Sequence, residues 1–234
     1  MPPLLALFTA LAAVDITGVA LDVPVLERAT KPLLAPVLAL YLWRATGTRH
    51  RAFLTGLGFA AAGDTALLFP GPVAFAVGLA LFLGAQTCWT TAFVRAGAVA
   101  HLRRRRLLCG AYLAVWCAAA AALAPALDPA LAVALPLYCL ALVVTACTAH
   151  VEGARAAWGG AVFFVSDLLI GLGAAGMDFP GRSLFVMPTY TVALVLLVTA
   201  LTGRRERAGR RRAAVPVRAP GPDPSRTGVT PADG

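Results

Sequence analysis

The chain has 234 residues, of which 59% are hydrophobic and only 13% are charged. Soluble globular domains usually carry about 25% charged residues, so this composition excludes an ordinary soluble domain. The formal net charge of +9 comes from clustered arginines, which favours anionic lipid headgroups over nucleic acid as partners.

The N-terminal apolar stretch is predicted to be a retained first span rather than a cleaved signal peptide. No cation follows Met1 before the apolar run begins, and Asp15 interrupts that run. A signal peptide needs a basic segment followed by an uninterrupted apolar core. We therefore place the first span at residues 3–21.

Long runs without charge predict the later spans. Residues 107–127, 129–149 and 183–203 contain no charged side chain, and each approaches the roughly 20 residues that a helix needs to cross a bilayer core. The second span is the weakest, because only residues 32–43 are uncharged. We predict an all-α, polytopic membrane protein, a bundle of eight transmembrane helices at residues 3–21, 29–46, 52–69, 72–94, 107–127, 129–149, 156–177 and 183–203.

The arginines also predict the orientation, because cytoplasmic loops of membrane proteins are enriched in Lys and Arg. They cluster at 44–51, 95–106 and 204–212, whereas the opposite side carries only three cations. Both termini are therefore expected in the cytoplasm, with the chain crossing the plasma membrane of a bacterium several times. Residues 204–234 are rich in Arg, Pro and Gly, and are predicted to form a disordered tail outside the transmembrane domain, 1–203.

Three carboxylates fall inside predicted spans, at Asp15, Asp64 and Asp167. An ionisable group within a bilayer is costly, so each is a candidate functional residue, although a hydrogen bond between helices is the structural alternative. All three fall at similar depths, and Lys31 at the outer end of the second span is placed to pair with one of them. We expect a shared polar chamber in the outer half of the bilayer.

Helical spacing predicts that these aspartates face protein rather than lipid. Gly56 and Ala60 lie on the face of Asp64, and Gly160 and Gly171 lie on the face of Asp167. Small residues let neighbouring helices approach closely. By contrast, tryptophans such as Trp89 lie near predicted span ends, where they are expected to anchor the helices at the membrane interface.

Two carboxylates at one depth in a low dielectric do not both ionise easily, so we expect one acid beside one carboxylate. That pair suits general acid/base hydrolysis. A Ser-His-Asp triad and a histidine-rich zinc site are not expected, since all three histidines fall in loops. Ser166, next to Asp167, points to a different side of its helix and is interpreted as a packing or hydrogen-bonding residue. No metal or cofactor is required.

Three short segments and one tyrosine form a recognisable pattern. Residues 30–36 read Thr-Lys-Pro-Leu-Leu-Ala-Pro, residues 56–64 contain Gly-Leu-Gly-Phe and Gly-Asp, and residues 160–167 end in Ser-Asp, with Tyr190 in the last span. In their order and spacing, over roughly residues 29–195, these segments resemble the YhhN family of lysoplasmalogenase-like membrane proteins.

The resemblance implies a hydrolase that cleaves the vinyl ether bond of lysoplasmalogen to a fatty aldehyde and a glycerophospho-alcohol. It assigns catalysis to Asp64 and Asp167, and substrate binding to Lys31 and Tyr190. We add Asp15 and Gln86 as substrate-binding candidates; Gln86 stands where the family commonly has a histidine. A second difference from the family is Leu194, at a position where the family frequently has a glutamine.

Three other functions remain open from the sequence alone. Buried aspartates also relay protons in proton-coupled carriers, and the prolines in the short second span favour a carrier. A non-catalytic scaffold would explain the departures at Gln86 and Leu194. An intramembrane aspartyl protease also needs two facing aspartates, but the chain has no clear Tyr-Asp partner for Gly63-Asp64. The oligomeric state is not indicated.

Overall fold

Helices account for almost all of the chain in a computed structural model, which describes residues 2–127, 129–177 and 179–213. Three short 3₁₀ turns, at Gly47–His50, Ala124–Ala126 and His150–Glu152, link neighbouring helices, and no strand occurs within these ranges. The α-helices in this part of the chain are α1 (Pro2–Ala20), α2 (Pro24–Thr46), α3 (Arg51–Ala66), α4 (Pro72–Arg95), α5 (Ala98–Arg103), α6 (Arg106–Leu123), α7 (Pro129–Ala149), α8 (Ala154–Ala174) and α9 (Arg182–Ala213).

The eight long helices coincide with the eight predicted segments, so the all-α fold is confirmed. Helix α2 begins five residues early because Pro24 occupies its first turn, where the fixed φ of proline suits a helix. The short helix α5 was not predicted, since six residues give too little periodicity to recognise.

Six helices are long and apolar enough to cross a membrane among the described residues: α1, α4, α6, the segment Leu131–Glu152 around α7, α8 and the first part of α9. The other two long helices fail for different physical reasons. Helix α2 carries Glu27, Arg28, Lys31 and Arg44, and α3 has only 16 residues. The count of eight spans and the orientation of the termini therefore stay predictions.

Close contacts between helices occur at glycines, as the small-residue pattern predicts. A Cβ atom on Gly160 of α8 would lie 2.7 Å from the Cα atom of Ala146 on α7, and one on Gly56 of α3 would lie 2.3 Å from Nε1 of Trp89. The space at Gly56 is therefore filled by the indole of Trp89, whose Nε1 donates to the carbonyl oxygen of Phe53 at 3.2 Å.

The predicted interfacial role of Trp89 is wrong. Its side chain is fully buried and stacks on the ring of Phe53, with ring centroids 5.3 Å apart. The indole also meets Phe163 edge to face at 5.3 Å. The sequence places Trp89 near a span end, but Gly56 opens a hole that only a large ring fills, and packing then outweighs the interfacial preference.

The chain divides into one unit at Met1–Thr202 and a second at Gly203–Gly234. Helix α9 continues through Ala213, which brings the first ten residues of the predicted tail into helical backbone. Residues 214–234, the remainder of that tail, lie outside the described residues, so the disordered tail stays a prediction.

Candidate active site

Asp64 lies near the end of α3 and is almost completely buried, with 2% of its surface exposed. The hydroxyl of Tyr190 on α9 donates a hydrogen bond to Oδ2 of Asp64 at 2.5 Å. The Tyr190 ring is held by edge-to-face contacts with Phe82, at 6.2 Å, and Phe163, at 5.7 Å. Residues 126 positions apart in sequence are thus joined through an aromatic cluster.

Asp167, on α8, has a tyrosine partner of its own. The hydroxyl of Tyr138 on α7 donates to Oδ2 of Asp167, and both side chains are buried. Sequence reasoning did not single out Tyr138. A usable signal was present, because a tyrosine inside an apolar span needs a partner for its hydroxyl, but only the packing of α7 on α8 identifies that partner.

The two aspartates belong to one electrostatic network without sharing one hydrogen bond. Asp64 interacts electrostatically with Asp167, Asp15 and Lys31, and Tyr190 interacts with both aspartates. The expectation of one chamber shared by the two aspartates is therefore not met among the described residues, where each carboxyl group has its own tyrosine partner. The difference arises because each helix neighbour supplies a hydroxyl, which satisfies a buried carboxylate more closely than a second carboxylate does.

Asp15, on α1, is fully buried and accepts a hydrogen bond from Oγ1 of Thr30 on α2 at 2.8 Å. Its second oxygen, Oδ2, has no hydrogen-bond partner among the described residues. One oxygen of Asp15 therefore makes the hydrogen bond between helices that was considered as the structural role of these aspartates. The other oxygen can still accept a hydrogen bond.

Lys31 does not pair with an aspartate. Its Nζ atom forms an ion pair with Oε1 of Glu27 at 3.1 Å, one helical turn earlier in α2. The i,i+4 spacing makes Glu27 the nearest carboxylate, and the early start of α2 brings it into the helix. Lys31 still interacts electrostatically with Asp15 and Asp64, so it belongs to the rim of the network.

Above this network lies a cavity of about 490 Å³, which we call the vestibule. It is formed by the turn between α1 and α2, the end of α8 and the start of α9. Four charged residues line it: Asp22, Glu27, Lys31 and Arg182. The guanidinium of Arg182 packs over Gly173 and donates from Nη1 to the carbonyl oxygen of Leu169 at 3.0 Å, near the C-terminal end of α8.

Beneath the vestibule is a small cavity of about 20 Å³, lined by Asp167 and Tyr138. Three apolar residues, Leu67, Phe75 and Ile170, line both the vestibule and this small cavity, and we call them the neck. The neck therefore separates Asp167 from the vestibule. The residues that line these two cavities do not include Asp64.

Gln86, a predicted substrate-binding residue, lies on α4 with 1% of its surface exposed and lines neither cavity. Its Nε2 atom has no hydrogen-bond partner among the described residues, while its backbone carbonyl oxygen accepts from Thr145 Oγ1 at 3.3 Å. Leu194 is fully buried in the core. Ser166 donates from Oγ to the carbonyl oxygen of Val186 at 3.1 Å, which confirms its hydrogen-bonding role.

The fold and these residues define a class: a helical membrane protein with carboxylates buried between its helices below a charged vestibule. Within the described part of the chain, no three His, Cys, Asp or Glu side chains are grouped to hold a metal ion. The profile of the YhhN family matches residues 26–201, so the chain belongs to that family. Neither comparison with curated proteins nor comparison with solved structures gives a match.

Proposed function

We propose that this protein is an intramembrane lipid hydrolase that cleaves the vinyl ether bond of lysoplasmalogen, or of a related lysophospholipid. The observation that carries the proposal is the position of Asp167, a buried carboxyl group in a small cavity that adjoins the vestibule across the neck. Membership of the YhhN family supports the same class of reaction through the resemblance described above.

The vestibule suits a phospholipid headgroup that carries both signs of charge. Lys31 and Arg182 supply cations for a phosphate, and Asp22 and Glu27 supply carboxylates for an ammonium group. Glu27 already pairs with Lys31, so headgroup binding exchanges one ion pair for two. In the orientation that the loop arginines predict, the vestibule opens toward the outer leaflet of the plasma membrane.

The neck suits the ether-linked chain of the substrate. Leu67, Phe75 and Ile170 present apolar side chains between the charged vestibule and Asp167. A lysophospholipid has one chain and therefore one apolar segment to insert. With its phosphate in the vestibule, the bond between glycerol oxygen and alkene enters the neck toward the carboxyl group.

The reaction needs one proton donor and one water molecule. Protonation of the alkene carbon remote from the ether oxygen gives an oxocarbenium ion on the neighbouring carbon. Water adds to that carbon and loses a proton to give a hemiacetal. Collapse of the hemiacetal breaks the bond between this carbon and the ether oxygen, and releases a fatty aldehyde and the glycerol hydroxyl. The proton lost by water restores the acid, so no oxidant or cofactor is consumed.

We assign the donor role to Asp167 because its side chain lines the cavity. Asp64, which accepts the hydrogen bond of Tyr190, supplies negative charge that stabilises the cation. The Tyr190 hydroxyl interacts electrostatically with both carboxyl groups. Asp15 and Lys31 also interact electrostatically with Asp64 and so contribute to the electric field at this site. General acid catalysis of this kind contributes about 10²–10⁴ in rate.

The direct test supplies purified protein with a lysoplasmalogen and measures release of fatty aldehyde. We expect Asp167→Asn and Asp64→Asn each to reduce turnover by about a hundredfold or more, because asparagine can neither donate the proton nor carry the charge. Ser166→Ala is the matched control beside Asp167: it loses only a bond to a backbone carbonyl and should keep most activity.

Unchanged turnover in both asparagine variants contradicts the two-aspartate mechanism. Absence of aldehyde from the unmodified protein, with the lysophospholipid recovered intact, contradicts the hydrolase itself. Retained helical circular dichroism in each variant separates lost chemistry from lost fold.

A proton-coupled carrier is the second candidate, favoured by one observation. The bundle has a large cavity at each end, the vestibule and a second one lined by residues of α6 and α8. Cavities that open alternately to the two sides are the working parts of carriers, and buried aspartates relay protons. Accumulation of an unmodified lysophospholipid in proteoliposomes, driven by a pH gradient, would support the carrier and count against hydrolysis.

A further inference from the structure

A second large cavity lies at the opposite end of α8 from the vestibule, and no step of the proposed reaction uses it. Its volume is about 570 Å³, and it is bounded by α5, the start of α6, the 3₁₀ turn His150–Glu152 and the first two turns of α8. It shares no lining residue with the vestibule or with the small cavity at Asp167. We call it the basal cavity.

One side of the basal cavity is a cluster of nitrogen donors. Arg105, His101 and His150 line it, and His150 interacts electrostatically with both of the others. The Nε2 atom of His101 is buried and has no hydrogen-bond partner among the described residues. The described residues that line the cavity include no carboxylate, and Glu152 lies in the adjoining 3₁₀ turn.

Tyr112 holds this cluster in place. Its hydroxyl lies 3.2 Å from Nε2 of His150, and the two rings meet edge to face at 5.8 Å. His150 is thereby fixed by a neighbour, whereas Nε2 of His101 has no hydrogen-bond partner among the described residues. An arginine guanidinium and an imidazole N–H can both donate to the oxygens of a phosphate group.

The other side of the basal cavity is apolar and follows α8. Ala154, Ala157 and Ala161 leave a shallow groove beside Trp158, whose ring is 67% exposed. The groove extends about 10 Å along the helix, since seven residues rise by about 1.5 Å each. A free phosphate ion would leave this groove uncovered, whereas a lipid chain would cover it.

We propose that the basal cavity binds an anionic membrane lipid, with Arg105 and His101 on its phosphate and its acyl chain in the alanine groove beside Trp158. In the orientation that the loop arginines predict, this end faces the inner leaflet, where anionic lipid and arginine-rich loops attract each other. The site is separate from the vestibule, so this inference does not rest on the proposed catalytic function.

The test uses the fluorescence of Trp158 in vesicles of phosphatidylcholine. Brominated phosphatidylglycerol and brominated phosphatidylcholine with identical chains are titrated separately, and the signal of Trp158 is taken as the difference from a Trp158→Phe protein. Bromine quenches indole at contact distance. We expect phosphatidylglycerol to quench at an about tenfold lower lipid fraction, because its phosphate can accept a charge-assisted hydrogen bond from Arg105 without exchanging an internal partner among the described residues.

Arg105→Gln should abolish the preference for phosphatidylglycerol, and His101→Gln should weaken it. Arg104→Gln is the matched control, because Arg104 is the neighbouring arginine, is exposed and does not line the cavity. For the groove, Ala161→Leu should reduce quenching by both lipids, whereas Ala114→Leu on the exposed face of α6 should not.

Equal loss of preference in Arg105→Gln and Arg104→Gln would assign the effect to overall surface charge and overturn the proposal. Equal quenching by the two lipids in the unmodified protein would also overturn it. If added inorganic phosphate removes the preference at constant ionic strength, the site takes free phosphate and the lipid assignment is wrong. Retention of the preference under phosphate supports the lipid.

Discussion

Two tyrosine hydroxyls complete the candidate active site, and each bonds to a different aspartate. Tyr190 donates to Asp64, and Tyr138 donates to Asp167. A buried carboxyl group that loses its donor is left to carry the full cost of burial, which is about 1–3 kcal/mol and more for a charged group. The hydroxyls therefore set both the orientation of the carboxyl groups and the energy of their ionised forms.

Tyr138→Phe and Tyr190→Phe should each lower aldehyde release about tenfold or more, because the ring stays and only the donor is lost. Turnover of lysoplasmalogen by the purified protein is the measurement. Tyr112→Phe is the matched control, since its hydroxyl lies at the basal cavity and meets His150. A rate equal to that of the unmodified protein in both site variants would show that the hydroxyls serve packing alone.

The limits of sequence reasoning are visible at these residues. Asp64 and Asp167 were singled out because an ionisable group in an apolar run stands out, whereas Tyr190 was singled out through the family resemblance. Tyr138 and the pairing of Lys31 with Glu27 were missed. The contact of Tyr138 depends on which helices are neighbours in space, and the pairing of Lys31 depends on where α2 begins. The sequence of a single apolar segment determines neither of these.

At the level of helices, close packing of α7 on α8 positions Asp167. Gly160 lies seven residues before Asp167, about two turns along the same face of α8, and meets the backbone of Ala146. Any side chain there must push the two helices apart, and Tyr138 on α7 would move with its helix. The sequence predicts that face correctly, because small residues at helical spacing indicate close approach.

Gly160→Ala should therefore destabilise the protein by about 1–3 kcal/mol, as expected for an overpacked contact against backbone. The measurement is the thermal unfolding midpoint in detergent. Gly58→Ala is the control, because a Cβ on Gly58 has nothing within 4 Å and alanine is the better helix former. An unfolding midpoint for Gly160→Ala as high as that for Gly58→Ala would mean that the two helices do not touch at this point.

The turn between α1 and α2 places a carboxylate in the vestibule at some cost in stability. Asp22 has φ of 52°, the left-handed conformation that glycine prefers. The amide of Val23 donates to the carbonyl of Gly18 at 2.8 Å, and the amide of Asp22 donates to that of Val19 at 3.4 Å, which is the Schellman pattern of a helix end. A charged residue in the glycine position of this pattern indicates a use for the carboxylate.

Asp22→Gly should raise the thermal unfolding midpoint, since it relieves roughly 1 kcal/mol of backbone strain. It should also weaken turnover of substrates with an ammonium headgroup, because the vestibule loses a carboxylate. Asp22→Asn separates the two effects: asparagine tolerates the left-handed conformation and leaves stability near its original value, but it carries no charge. If all three proteins turned over substrates with choline and glycerol headgroups equally, Asp22 would have no role in binding an ammonium group.

On the scale of the whole molecule, the predicted count of eight spans requires that α2 and α3 both cross the membrane. Both helices pack within the bundle, with buried residues that include Leu38 of α2 and Leu57 of α3. Helix α3 is about 24 Å long at 1.5 Å per residue, slightly shorter than a hydrocarbon core of about 30 Å. With six or with eight spans the two ends of the transmembrane domain lie on one side, and the loop after α3 lies on the outer side, so only the loop between α2 and α3 distinguishes the counts.

Thr48→Cys and Pro70→Cys place one exposed thiol before α3 and one after it. In a background without the five native cysteines, we expect a membrane-impermeant maleimide to label them from opposite sides of the membrane, with Thr48→Cys reached from the cytoplasm. This follows because buried contacts on both α2 and α3 hold them at the depth of their neighbours, and the arginines at 44–51 resist translocation. Labelling of both positions from one side would reduce the spans to six and place α3 at the membrane surface, which would separate Asp64 from the bilayer interior on which its proposed role depends.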